Sequence, residues 1–217
     1  MRCLGFMALC GCNQLFGLES VPDAANDAPT FDASLFQIGC ADGTREGFSD
    51  LSRARRIAGC AGAWTIGGIK PAPGPACDRQ AGNTGVNLLG TGCTASDLCA
   101  SVWSICDDRL LVLSRIPDQT CTGITGDVAF FATQQSGLGS NECNATGTND
   151  VFGCGTLGAV PAASCAPLDR VSGNDCSAIN SAGGWMCLSP AEPANIIKLD
   201  PQVGGGALCC QNDPPGL

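Results

Sequence analysis

The sequence predicts an α+β fold: a small, irregular, disulfide-rich domain with short strands and one or two short helices. Three observations lead there. Seventeen of the 217 residues are cysteine, a density that belongs to a disulfide scaffold in an oxidising compartment. Thirty glycines and thirteen prolines cut the chain into short segments joined by turns. Three tryptophans, eight phenylalanines and no tyrosine leave few large side chains for a core, so covalent bridges must supply part of the stability.

The chain opens MRCLGFMALCGC. One positive charge, at Arg2, is followed by a short apolar run, the pattern of a signal peptide, and residues 1–11 are read as a lipoprotein signal. Leu9-Cys10-Gly11-Cys12 resembles a bacterial lipobox. That likeness implies cleavage before Cys12 and acylation of its sulfur and amine, and Asn13 rather than Asp after it implies outer-membrane sorting. Parity agrees with this reading. Cleavage removes Cys3 and Cys10 and acylation occupies Cys12, which leaves fourteen of the seventeen cysteines: Cys40, Cys60, Cys77, Cys93, Cys99, Cys106, Cys121, Cys143, Cys154, Cys165, Cys176, Cys187, Cys209 and Cys210. They suffice for seven bridges, with connectivity left open by spacing alone. The alternative is an apolar N-terminal strand with an odd thiol left over.

Charge and ligand chemistry exclude other classes. There is no histidine and no C-x-x-C, so the usual zinc patterns cannot be built. A formal net charge of −9 repels phosphate backbones, and no nucleic-acid partner is expected. No stretch approaches the roughly 20 apolar residues of a membrane span. The lipid bilayer is therefore engaged through acylated Cys12 alone, whose several acyl chains hold at about 0.8 kcal/mol per buried CH2.

Residues 12–34 form an acidic Ala/Pro/Asp tether. ESVPDAANDAPTFDAS, residues 19–34, has too little apolar surface to fold and could extend roughly 50 Å. Residues 35–217 carry no low-complexity linker and read as a single disulfide-rich ectodomain. In SDLSRARRIAGC (49–60), Ser49 or Asp50 caps a helix with Leu51, Ala54, Ile57 and Ala58 on one face and Gly59 as its stop. PAPGPAC (71–77) is a rigid surface loop. TASDLCASVWSICDD (94–108) carries a capping-box pattern at Thr94 and Asp97, and a helix there directs Cys99 and Cys106 into the core. DRLLVLSRI (108–116) extends as a further helix or forms a strand. Strands are expected at AWTI (63–66), DVAFFAT (127–133), WMCL (185–188), NIIKL (195–199) and GALCC (206–210), each bounded by glycine or proline. Adjacent Cys209 and Cys210 face opposite sides of a strand, so each requires its own partner.

ADGTREGF (41–48), RIAGCAGAW (56–64), ASDLCASVWSIC (95–106), FFATQQSG (130–137), NDVFGCG (149–155) and GGGALCC (204–210), with GCNQLFGL in the leader, resemble a group of uncharacterised cysteine-rich lipoproteins of myxobacteria and their relatives. That family has no assigned activity or binding residues to carry over. Its members tend to have Gly-Trp-His-Val before the cysteine where this chain has Val102-Trp103-Ser104-Ile105, so any role of that histidine is absent. A second likeness, giving the alternative fold class, is to the C-type lectin fold, in which an early helix is bridged to a cysteine near the C-terminus. The parts would fall to Leu98-Cys99-Ala100 and Leu208-Cys209. The lectin sugar tripeptides are missing, with only Glu192-Pro193-Ala194 present, and calcium-dependent sugar binding does not carry over.

Zero histidines remove Ser-His-Asp and Cys-His catalysis, and the chain is read as a non-enzyme. GCGTLG (153–158) matches a dinucleotide fingerprint without its βαβ context. Glu46, Glu142 and Glu192 are too scattered in sequence to mark a carboxylate pair. No cofactor is expected; calcium is the one ion with oxygen-rich turns to hold it, at 41–47, 146–153 and 172–176. Trp64, Trp103 and Trp185 each lie near a cysteine and are expected to pack on disulfides rather than stack on ligands. Asn144-Ala145-Thr146 matches a glycosylation sequon and is read as a surface turn. The expected function is a non-catalytic binding module for a surface protein or a glycan, on an outer-membrane lipoprotein, periplasmic or surface-exposed. A structural envelope protein without a ligand and a carboxylate-based hydrolase are the alternatives.

Overall fold

A computed structural model describes residues 38–62, 74–80, 87, 90–107, 109–121, 124, 129–133, 150–155, 165–173, 176–189, 195–200 and 203–213. The chain divides into two units, 1–31 and 32–217, and every described residue belongs to the second. The expectations on the signal peptide, Cys12 and the tether lie outside the described residues.

The fold is α+β, with short elements and many bridges, as the composition predicts. Among the described residues, six strands form one sheet in the order β1 (Ile57–Ala61), β8 (Gly205–Gln211), β3 (Phe130–Ala132), β4 (Asp150–Gly155), β5 (Asp169–Gly173), with β2 (Trp103–Ile105) also paired to β8. β1 and β2 run antiparallel to β8, and β3 runs parallel to it. A separate two-stranded antiparallel sheet joins β6 (Trp185–Cys187) to β7 (Ile196–Lys198). The helices are short: α1 (Arg109–Arg115), α2 (Ser177–Ser181), and 3-10 turns at Ala95–Leu98 and Pro117–Gln119.

β8 organises the sheet because both of its faces are buried, which is why it reads as a continuous apolar run. Ala207 and Cys209 belong to one core cluster with Trp103, Phe130 and Trp185. Leu208 and Cys210 belong to another, with Phe131, Phe152 and Val112. The period of two then places the adjacent cysteines on opposite faces, and each has its own partner: Cys99–Cys209 on one side, Cys106–Cys210 on the other. Four further bridges are Cys40–Cys60, Cys77–Cys93, Cys121–Cys154 and Cys176–Cys187. Cys165 is also disulfide-bonded, and Cys143 lies outside the described residues.

Glycines permit the closest strand approaches. A Cβ at Gly153 would stand 2.1 Å from the Phe131 carbonyl oxygen, and one at Gly155 2.0 Å from that of Ala129. The described part of the G-x-G-x-x-G match, residues 153–155, is therefore strand-pairing geometry.

Two expected helices are corrected. Residues 51–53 and 55–56 form turns and Ile57–Ala61 is a strand. One helical turn does start, with Ala54 N–H donating to the Asp50 carbonyl at 2.9 Å. It stops because Arg45 Nη1 donates to the Ala54 carbonyl at 2.6 Å, while Cys60 is bridged to Cys40 and residues 57–61 pair with β8. In 94–108 the capping pattern yields only the 3-10 turn Ala95–Leu98. A tight turn at Ser101-Val102 then reverses the chain into β2. Val102 holds φ 62° there, the left-handed region that favours glycine. The ambiguous 108–116 segment contains α1, and the expected strands at 127–133, 185–188, 195–199 and 206–210 contain β3, β6, β7 and β8. AWTI (63–66) lies outside the described residues.

Candidate functional site

Among the described residues, one group has the make-up of a metal site: Cys77, Cys93 and Asp97, with candidate ligand atoms within 4.8 Å of one another. Its chemistry is structural. The two sulfurs are joined to each other and offer no thiolate. Asp97, fully buried, accepts backbone N–H bonds from Ala76, Cys77, Arg79 and Thr94 at 2.8–3.0 Å. Burial pushes its carboxyl pKa up, but those four donors outweigh it and hold the group below the usual range. The loop 74–79 is thereby stitched to the 3-10 turn.

The acidic turn at 41–47 is likewise built into the scaffold. Asp42 accepts from the Thr44 N–H at 3.0 Å. Glu46 accepts from the Thr44 hydroxyl at 2.9 Å and from the Ala61 N–H at 2.8 Å. Between them Arg45 turns inward, donates to the carbonyls of Ile38, Phe48 and Ala54, and lies 5.7 Å from the Trp103 ring centroid. Burial lowers its pKa to about 10. The second carboxylate oxygen of Asp42, Oδ2, is buried with no hydrogen-bond partner. The calcium expectation at 146–153 and 172–176, and Glu142 and Glu192, fall wholly or in part outside the described residues. Trp103 and Trp185 are buried, at 1% and 3% exposed, in the core cluster that holds Cys99, Cys187 and Cys209.

The β6–β7 hairpin departs from the patterning of the rest of the molecule. Its inner face carries Trp185 and Cys187 from β6 and Ile196 and Lys198 from β7, all buried. Trp185 and Lys198 are direct cross-strand partners. Lys198 is 0% exposed and donates to the Gly205 carbonyl at 2.9 Å. Burial lowers its pKa to about 8, against the raising influence of Glu46 and Asp200. The Trp185 indole N–H is buried with no hydrogen-bond partner. The outer face is aliphatic. Met186 and Ile197 are paired and half-buried, and Leu188 and Leu199, just beyond the strand ends, are 50% and 48% exposed. Alternation along each strand sets these four on one face. This is the candidate contact surface. Sequence reasoning placed both strands but missed their orientation; the signal lay in IIKL, where Lys198 takes the opposite face from Ile197 and Leu199.

Among the described residues no helix is long and apolar enough to cross a membrane. No protein-family model matches the chain, and no solved structure matches it.

Proposed function

We propose that the protein is a non-catalytic binding module on an envelope lipoprotein, tethered to the outer membrane through acylated Cys12 and rigidified by its disulfides. The observation that carries this reading is the inverted β6–β7 hairpin. It buries a lysine and an indole N–H while turning Leu188 and Leu199 toward solvent, an arrangement that favours a contact surface over a solvated one. The scaffold supports the reading in a second way: Asp97, Glu46 and Arg45 are each bonded to backbone that they fix in place. The six observed bridges suit an oxidising compartment outside the cytoplasm, and the lipobox-like leader supplies the anchor.

Intact mass of the protein from native membranes, alkylated without reduction, tests the tether and the bridges together. The expected species starts at Cys12, carries acyl mass and shows no alkylated thiol. A retained leader with several reactive thiols would overturn the reading. Photo-reactive residues at positions 188 and 199 in producing cells test the module itself. Discrete crosslinks are expected there and not at position 110, which lies on α1; equal labelling at all three positions would favour a structural envelope protein.

A further inference from the structure

We propose that the outer face of the β6–β7 hairpin receives a short, extended, cationic segment of a partner protein whose apolar side chains alternate along it. The inference rests on the binding-module reading above and names the surface and its ligand class.

The first argument is orientation. The sole charged residue in these two strands is Lys198, and it points into the core with 0% exposure. An exposed lysine is the common protection of an open sheet, yet here Lys198 shares the buried face with Trp185, Cys187 and Ile196 while Leu188 and Leu199 stand outside. Inversion carries the desolvation of an ammonium group and of an unpartnered indole N–H. Local rules broken at such cost in one place mark function.

The second argument is size. β6 and β7 are three residues each, and with Leu188 and Leu199 added they give a face of roughly 14 by 10 Å. A stable dimer needs about 800 Å² from each partner, several times this area. The stripe is of the size of one extended peptide segment, whose alternate side chains would meet Leu188, Met186, Ile197 and Leu199. The third is charge. The chain carries a formal net charge of −9. A second copy of the chain and an anionic bilayer are both repelled, and a basic segment is attracted.

The probe is a synthetic eight-residue peptide of alternating leucine and lysine, titrated calorimetrically into the full, oxidised chain, with a leucine–glutamate peptide as its counterpart. Binding is expected for the lysine peptide only. The double variant Leu188→Ser with Leu199→Ser keeps net charge unchanged and is expected to weaken binding at least tenfold, while Leu110→Ser on α1 stays within twofold. Tight binding by the glutamate peptide, unaltered affinity of the double variant, or no binding would each overturn the proposal. So would a dimer in sedimentation that the double variant abolishes, which assigns the face to a second copy. Binding to neutral phosphatidylcholine vesicles through the same leucines would assign it to lipid. Should the peptide fail while intact mass shows acylated Cys12 and closed bridges, the inference falls and the tethered-module reading stands.

Discussion

The six-stranded sheet and the β6–β7 hairpin use the same residue types to opposite ends. Along β8, Ala207 to Cys210 alternate between two apolar clusters, and two bridges leave the strand in opposite directions from Cys209 and Cys210. Hydrophobic burial and covalent closure there act together. In the hairpin the lysine is inside and two leucines are outside, and the local bridge, Cys176–Cys187, spans only 11 residues. The sheet is what a stable domain requires. The hairpin carries costs that stability alone does not explain, and those costs locate the surface on which function is proposed.

The largest expected effect breaks the comparison at its covalent frame. Cys99–Cys209 and Cys106–Cys210 close loops of 110 and 104 residues, and either one keeps the other's loop nearly closed. Replacing all four cysteines by alanine is expected to cost about 5 kcal/mol in urea unfolding, whereas Cys176→Ala with Cys187→Ala costs about 3 kcal/mol. Equal losses would mean that the central staples hold no special place.

Next in size is Asp97→Asn, which turns an amide donor toward backbone N–H groups and is expected to cost about 2–3 kcal/mol. Its pH dependence has a definite sign. The Asp97 pKa is lowered in the fold, so its contribution is present above the unfolded value of 3.8 and is lost as pH falls through the lower folded value. Thermal melts of the variant between about pH 5 and 2 should show a shallower acid decline than the parent; a parallel decline would contradict this.

Lys198→Met sharpens the contrast from the other side. Folding lowers this pKa from 10.5 to about 8. Below about pH 8 the ammonium is charged in both states and its burial cost is complete; between about pH 8 and 10.5 the unfolded chain binds more protons, so stability rises with pH. The methionine variant is expected to be more stable by about 2 kcal/mol at pH 7, after loss of the bond to Gly205, and to lack that alkaline rise. Denaturant titrations at about pH 7 and pH 10 check both statements. The smallest effect is expected at Val102→Gly, which relieves a β-branched residue at φ 62° and should stabilise by about 1 kcal/mol by calorimetry.

Much of the fold was legible because β-branched and aromatic runs bounded by glycine mark strands, and because Cys209 and Cys210 can satisfy strand geometry only with separate partners. The segment 49–60 misled because its helical spacing is real but local, and a bridge at Cys60 with pairing along β8 outweighs one turn of helix. β4 and β5 went unread because DVFGCG and DRVSG are rich in glycine and polar residues; they are strands through pairing, not propensity. Capping at Thr94 and Asp97 was legible, but the four backbone donors that converge on Asp97 come partly from residues about 20 positions earlier, which spacing does not reveal. The hairpin's inversion needed the structure, since a period of two gives two faces without saying which one is buried.

The inversion is tested most directly at Lys198 itself, which with Lys70 makes up the lysines of the chain. Native, oxidised protein would be treated with an amine-acylating ester, digested, and analysed by mass spectrometry beside a reduced, unfolded sample. Lys198 is expected to stay unmodified in the native protein and to be acylated in the unfolded one. Equal acylation in both would place the lysine outside, return the hairpin to ordinary patterning, and contradict the account.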